Sequence, residues 1–244
     1  MVLTVDVGNT RIKSAVFEND KLIEIFIFDI QNLQEKILFI LKKYAKVNVL
    51  VVASVGKLAQ DAFSFVENMI KVEWITQNSL FPFDNKYETP STLGIDRMIL
   101  ASGAVLQFPN QNRLIIDAGT CITYDFINDQ DEYIGGAISL GLRLRYQALH
   151  NYTAKLPLLD TNYPTYYIGN STAESLHSGT VNGLCYEIEG FISRYEADYS
   201  KFTIILTGGD ALFLAKRLKN TIFANSNFLL ESLNLTYQYK IKND

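Results

Sequence analysis

Cysteine and histidine are almost missing from this chain of 244 residues, with two of each. Cys121 and Cys185 lie far apart in sequence, so no disulfide framework is expected and a reducing cytoplasm is the expected compartment. With His150 and His177 alone, neither a histidine-based metal centre nor a Ser-His-Asp triad is expected. Positive charge is short as well. Lys and Arg number 22 against 26 Asp and Glu, a net charge of −4, and no basic stripe forms, so no nucleic-acid partner is expected. No uninterrupted apolar run is long enough to span a bilayer. The amino terminus lacks a basic leader region and Asp6 breaks its apolar run, so neither a membrane partner nor a signal peptide is expected. The absence of any G-x-x-x-x-G-K-[ST] stretch removes a P-loop.

What the chain does have is one phrase used twice. It opens VLTVDVGNTRIKSAVF, and near its midpoint reads RLIIDAGTCITYDF. In each copy an apolar run ends in Asp, then one residue, Gly and a small polar residue, and a second β-rich run follows. The acids are Asp6 and Asp117, the glycines Gly8 and Gly119. A single copy reads as a β-hairpin whose Gly-Asn turn is only geometric. Two copies in equivalent places point to two related domains facing each other, with the acidic hairpin tips lining a cleft.

The order of elements supports a duplication. In the first half, β-runs are expected at Val2–Val7, Arg11–Phe17 and Leu22–Phe28. A helix is expected at Leu33–Tyr44, a buried strand at Val47–Val52, a helix near Leu58–Ile70, a short strand near Val72–Ile75 and a helix at Leu93–Phe108. The polar turn Pro109-Asn110-Gln111-Asn112 separates the halves. Strands follow at Leu114–Asp117, Ile122–Ile127 and Tyr133–Ile138, then helices at Leu142–His150 and Ala173–Tyr195. A strand at Phe202–Leu206 runs into Gly208-Gly209-Asp210 and a last helix. The expected fold is α/β, with βββαβα in each of two domains, residues 1–109 and 110–244.

The Asp6 turn suits phosphate. Gly8 admits close approach to the backbone, successive N–H groups can form a concave anion site, and Thr10 and Lys13 add donors. Asp6 and Asp117 are candidate cation ligands; Mg²⁺ in particular shares its coordination with water and substrate phosphates. Thr120 and Thr123 offer hydroxyls in the second copy. After Leu206-Thr207, the Gly pair would let a base or ribose approach, although Asp210 as a simple helix N-cap explains it equally well. Asp96 stands in Leu93-Gly94-Ile95-Asp96-Arg97-Met98-Ile99-Leu100, on a helix apolar around most of its surface. One reading is an acid in the first turn, set against the helix dipole or paired with Arg97. The other is a general base for a hydroxyl group during phosphoryl transfer.

Taken in order, Asp-x-Gly-Asn-Thr, Gly94-Ile95-Asp96-Arg97, Asp117-x-Gly-Thr120, Gly135-Gly136-x-Ile138, Thr153-Ala154-x-Leu156-Pro157, Asn170-Ser171-Thr172 with Glu174, and Gly208-Gly209-Asp210 resemble the type III pantothenate kinases. The resemblance covers nearly the whole chain. It implies two ribonuclease-H-like, actin-like ATPase domains around an interdomain cleft, and ATP-dependent phosphorylation of pantothenate, the first step toward coenzyme A. By motif it implies that Asp6, Val7, Gly8, Asn9, Thr10, Arg11, Ile12 and Lys13 hold ATP, with Thr120 also touching it. Asp96 would be the base. Tyr87, Gly94, Ile95, Asp96, Arg97 and Thr172 would contact pantothenate. Asp6 would hold Mg²⁺, and Asp117 a monovalent cation, K⁺ or NH₄⁺. A homodimer is implied, with Thr172 near the partner's substrate pocket; the aromatics Tyr146, Tyr152, Tyr186 and Phe191 beside the two expected helices suit either an interface or a core. One departure stands out: where the family commonly has x-Pro-Gly, this chain has Ser139-Leu140-Gly141. Two other readings share the fold, a nucleotide-binding transcriptional accessory factor and a kinase for another small hydroxylated substrate. The acids Asp6, Asp96 and Asp117 favour an enzyme over the first, and the Gly94–Arg97 segment favours pantothenate over the second.

Overall fold

The computed structural model describes residues 1–8, 11–55, 58, 60–199, 201–219 and 222–243. The chain divides into two units. One is Met1–Pro109 with Asp131–Tyr133 and Asn227–Asp244; the other is Asn110–Gln130 with Ile134–Ser226.

In the first unit, β1 (Val2–Val7), β2 (Ile12–Glu18) and β3 (Lys21–Phe28) form an antiparallel meander. Helix α1 (Leu33–Lys43) then carries the chain back, so that β4 (Val49–Ser54) pairs parallel with β1 and β5 (Lys71–Trp74) parallel with β4. A parallel neighbour requires such a crossover, since a tight turn can join only antiparallel strands. The strand order is β3-β2-β1-β4-β5. Leu33, Ile37, Ile40 and Leu41 recur at helical spacing and pack with Leu3, Val5, Leu50 and Val52 in one core. The helix expected near Leu58–Ile70 is instead a 3₁₀ segment, Gln60–Val66. A two-residue strand, β6 (Asp84–Asn85), precedes α2 (Ile95–Gln107), which is buried along nearly its whole length.

The second unit repeats the design. β7 (Asn112–Ala118) and β8 (Cys121–Ile127) are antiparallel, and β9 (Glu132–Leu140) is the next neighbour. After α3 (Leu142–Asn151), α4 (Thr172–His177) and α5 (Gly183–Asp198), the strand β10 (Phe202–Thr207) pairs parallel with β7. A short helix, α6 (Ala211–Ala215), leads to β11 (Phe223–Ala224), parallel with β10. The order β9-β8-β7-β10-β11 reproduces that of the first sheet; β6 pairs with Glu132 and Tyr133 at the start of β9, residues that group with the first unit. The expected helix Ala173–Tyr195 is not uniform. A π-helical turn, Ser178–Asn182, separates α4 from α5, and there Asn182 donates through Nδ2 to Ser178 Oγ at 3.1 Å, while its Oδ1 accepts from Arg217 at 3.0 Å.

The C-terminal helix α7 (Phe228–Asn243) groups with the first unit, although the sequence boundary had assigned residues 110–244 to the second. Close packing explains this. A Cβ on Gly103 would lie 1.9 Å from Ser232 Oγ, so α2 and α7 approach where neither carries bulk. Thr236 Oγ1 donates to Ser102 Oγ at 2.8 Å, Lys240 pairs with Glu73 at 2.5 Å, and Leu230 packs on Ala15 and Phe17. Among the described residues no helix is long and apolar enough to cross a membrane.

Candidate active site

At the end of β1, Asp6 stands opposite Lys13 on β2 and Ala53 on β4. Its carboxylate is largely buried, whereas Arg11 is exposed. The chain turns after Gly8, whose N–H donates to Arg11 O at 3.2 Å. Val7 and Ile12 belong to the hydrophobic core, so a ligand at this turn would meet their backbone and not their side chains. Asn9 and Thr10 lie outside the described residues.

The start of α2 gathers the expected substrate contacts. Gly94 is the N-cap position and provides no side-chain cap. A Cβ there would lie 2.4 Å from Asp96 Oδ1, so only glycine leaves room for that carboxylate to fold back over the helix start. Asp96 Oδ1 accepts from the Arg97 N–H at 2.9 Å. Burial pushes the Asp96 carboxyl above its ordinary value, because the charged form loses hydration; the Arg97 N–H and guanidinium pull the other way without cancelling it. Arg97 is only 6% exposed, and its guanidinium lies 5.8 Å from the centre of the Tyr87 ring. Tyr87 is held by its own N–H, which donates to Asn85 Oδ1 at 3.0 Å, and by edge contact with Tyr133. Residues 87 and 97 thus meet although ten positions separate them, while Ile95 is core.

The second unit builds an equivalent strand end. Asp117 faces Thr123 across one ladder and Thr207 across the other. Gly208 turns the chain with φ +95, a region L side chains rarely adopt, and a Cβ there would sit 2.4 Å from both Asp117 Oδ1 and Ala118 O. The Asp210 N–H donates to Ala118 O at 2.9 Å. Asp210 occupies the N-cap position of α6, but its side chain makes no cap bond, and burial raises its pKa. Thr120 is exposed, and the Gly141 N–H donates to Thr120 O at 3.1 Å. That bond, together with Arg145 Nε donating to Leu140 O at 2.8 Å, fixes the connection into α3 where the family's proline is replaced by Leu140.

Thr172 opens α4, with Ser171 as a true N-cap accepting from the Glu174 N–H at 3.2 Å. It lines a cavity of about 710 Å³ with Leu149, Leu156, Asn170, Ser171 and Leu176. Sequence reasoning did not foresee this cavity, because α3, the segment after it and α4 each contribute a wall. Its traces in the sequence were the motif stretches that hold Leu156 and Asn170-Ser171-Thr172. Of the aromatics considered for an interface, Tyr146 and Phe191 fill their own unit's core, whereas Tyr152 and Tyr186 are 88% and 61% exposed. The exposed residues of β9 alternate along one face as Ile134, Ile138 and Leu140.

Among the described residues no group of three or more His, Cys, Asp or Glu could hold a metal. A cation at Asp117 would draw on Asp117 Oδ1 and the Ala118 carbonyl, hard oxygens that a side chain at Gly208 would crowd.

Comparison with known proteins gives the context. The family model described as type III pantothenate kinase matches residues 2–194. A type III pantothenate kinase of Flavobacterium johnsoniae is 64% identical over 244 residues, covering all of both chains. Among solved structures, a Campylobacter jejuni protein provisionally titled a Baf family transcriptional activator superposes with a TM-score of 0.66 at 21% identity, over 98% of this chain and 99% of that one. A glucokinase from an Antarctic psychrotroph superposes with a TM-score of 0.54 at 12% identity, over 98% of each chain. At such identities the structures speak for the fold alone, which is that of two actin-like domains. The full-length identity speaks for descent: this chain belongs to the type III pantothenate kinase family.

Proposed function

We propose that this protein transfers the γ-phosphoryl group of ATP to the 4′-hydroxyl of pantothenate, in the cytoplasm, as the opening step of coenzyme A synthesis. The observation that carries the reading is Asp96. It is a half-buried carboxylate at a helix start, its pKa raised by lost hydration, next in sequence to a buried guanidinium that lies over the Tyr87 ring. A structural acid at that position gains nothing from being desolvated; a general base gains basicity.

Each residue then has a task. Asp96 accepts the hydroxyl proton as the substrate oxygen bonds to the γ-phosphorus and ADP leaves. Arg97, over the Tyr87 ring, offers donors to the acidic end of pantothenate. The Asp6–Lys13 segment holds the ATP phosphates, Lys13 contributing its charge. Asp6 is the residue for Mg²⁺, Asp117 with Ala118 O the pair for K⁺ or NH₄⁺, and Thr120 a further nucleotide contact. When bound, such cations neutralise charge on the phosphate oxygens. Within the second unit, Thr172 and its cavity offer a contact surface for pantothenate: apolar leucines for its dimethyl carbons, Asn170, Ser171 and Thr172 for its polar groups. A homodimer fits exposed Ile134 and Ile138 of β9 with Tyr186, which would be covered by the same surface of a second copy.

The test is an acceptor panel. ADP release is measured with ATP, Mg²⁺ and K⁺, offering pantothenate, glucose or N-acetylmannosamine. Turnover with pantothenate alone is the expected result. Sugar phosphorylation without pantothenate phosphorylation would reassign the substrate.

A further inference from the structure

The Thr172 cavity has a neighbour. A second cavity, of about 380 Å³, is lined by Leu140, Arg145, Tyr152 and Thr180, and it shares Leu149 and Gly179 with the first. Gly179 sits in the π-helical turn between α4 and α5, inside a helical run where glycine is an unfavourable residue. Two common reasons for keeping a glycine are absent. Its φ is not positive, and a Cβ built on it would meet nothing within 4 Å. Gly103, by contrast, is required by Ser232, and Gly208 by its φ. Gly183, Gly190 and Gly209 are equally open, but none of them lines either of these two cavities. At 179, then, open space and ligand-sized space coincide. π turns recur at functional sites because the extra residue re-aims the helix wall.

We propose that Gly179 determines which acceptor the second unit can take: its missing side chain is the space that joins the two cavities, and the acceptor lies across it. A side chain at 179 projects into that space, shortens the site and excludes an extended acid-amide such as pantothenate. Leu149, which lines both cavities from α3, is the opposite wall. The proposal rests on pantothenate occupying the Thr172 cavity.

Gly179→Ala and Gly179→Leu, made in the full chain beside Thr172→Val, separate the possibilities. Both substituents are better helix formers than glycine, so thermal midpoints at or above that of the parent are expected. KM for pantothenate should rise about threefold for Ala and roughly tenfold or more for Leu, with KM for ATP within about twofold. A purely structural glycine would lower the midpoint and leave the KM values alone, and that result overturns the proposal. So does a rise in KM that appears only when sedimentation shows a changed assembly, which would make Gly179 a contact between copies. If Thr172→Val raises KM for pantothenate and Gly179→Leu does not, Gly179 alone is wrongly assigned. If Thr172→Val leaves that KM untouched, the cavity assignment fails and takes the role of Gly179 with it.

Discussion

Replacing Asp96 with Asn removes a proton acceptor and little else. The Asn side-chain oxygen can still accept from the Arg97 N–H, now bonded at 2.9 Å, so the helix start keeps its local hydrogen bond. What disappears is basicity. General-base contributions run from about a hundredfold to about ten-thousandfold in rate, or roughly 3 to 5.5 kcal/mol of barrier. A fall in kcat of that size is expected, with the fold intact. Stability should move the other way. Burial raises the Asp96 pKa, so the folded chain holds this proton more tightly than the unfolded chain does. The stabilising contribution of the group is therefore full below the unfolded carboxylate pKa of about 4 and lost as pH rises through the folded value. As pH rises the wild-type protein has to ionise a poorly hydrated carboxylate, and the Asn variant does not. Asp96→Asn should melt above wild type at pH 7, with the gap closing as pH falls toward the carboxylate range. Kinetics and thermal melts across pH on the same samples read both effects. Near-normal turnover would remove Asp96 from the chemistry. A lower midpoint at pH 7 would make the carboxylate a structural group and refute the desolvation argument.

Asp117→Asn should blunt the response to K⁺ while leaving Mg²⁺ dependence in place; identical wild-type rates in sodium-only and potassium buffers would dismiss a monovalent site there. Arg97→Lys keeps charge but loses the forked guanidinium that lies over Tyr87, so KM for pantothenate should rise about tenfold with KM for ATP unchanged. Gly103→Val forces bulk into the 1.9 Å approach to Ser232 and should lower the thermal midpoint by roughly 5 °C, read by calorimetry. Ile138→Asp puts charge on the exposed β9 face; sedimentation should show a smaller species, with pantothenate phosphorylation reduced in step.

The duplicated strand order was legible because each half ends a buried strand in Asp and opens a hairpin at once, a pattern carried by neighbours in sequence. Helix α2 was legible for the same reason: one acid on an apolar helix cannot be a solvated surface charge. The 3₁₀ segment at Gln60–Val66 was not, since a short apolar spacing fits either helix type. Helix α7 gave little signal because it buries Ser232, Asn234 and Thr236 along with its leucines, blurring the apolar stripe, and only packing against α2 decides its place. The meeting of Tyr87 with Arg97, the turn at Gly208 and the cavity under Thr172 depend on segments brought together by the fold. Motif order named several of those residues; it could not say what they touch.

The most direct test of pantothenate phosphorylation is the product itself. The purified protein is incubated with ATP, Mg²⁺, K⁺ and pantothenate, and the mixture is followed by ³¹P NMR and mass spectrometry. The expected result is a phosphomonoester on the 4′-oxygen of pantothenate, formed in step with ADP and lost in the Asp96→Asn variant. ADP appearing with no phosphorylated pantothenate, or 4′-phosphopantothenate formed equally well without the Asp96 carboxylate, would contradict it.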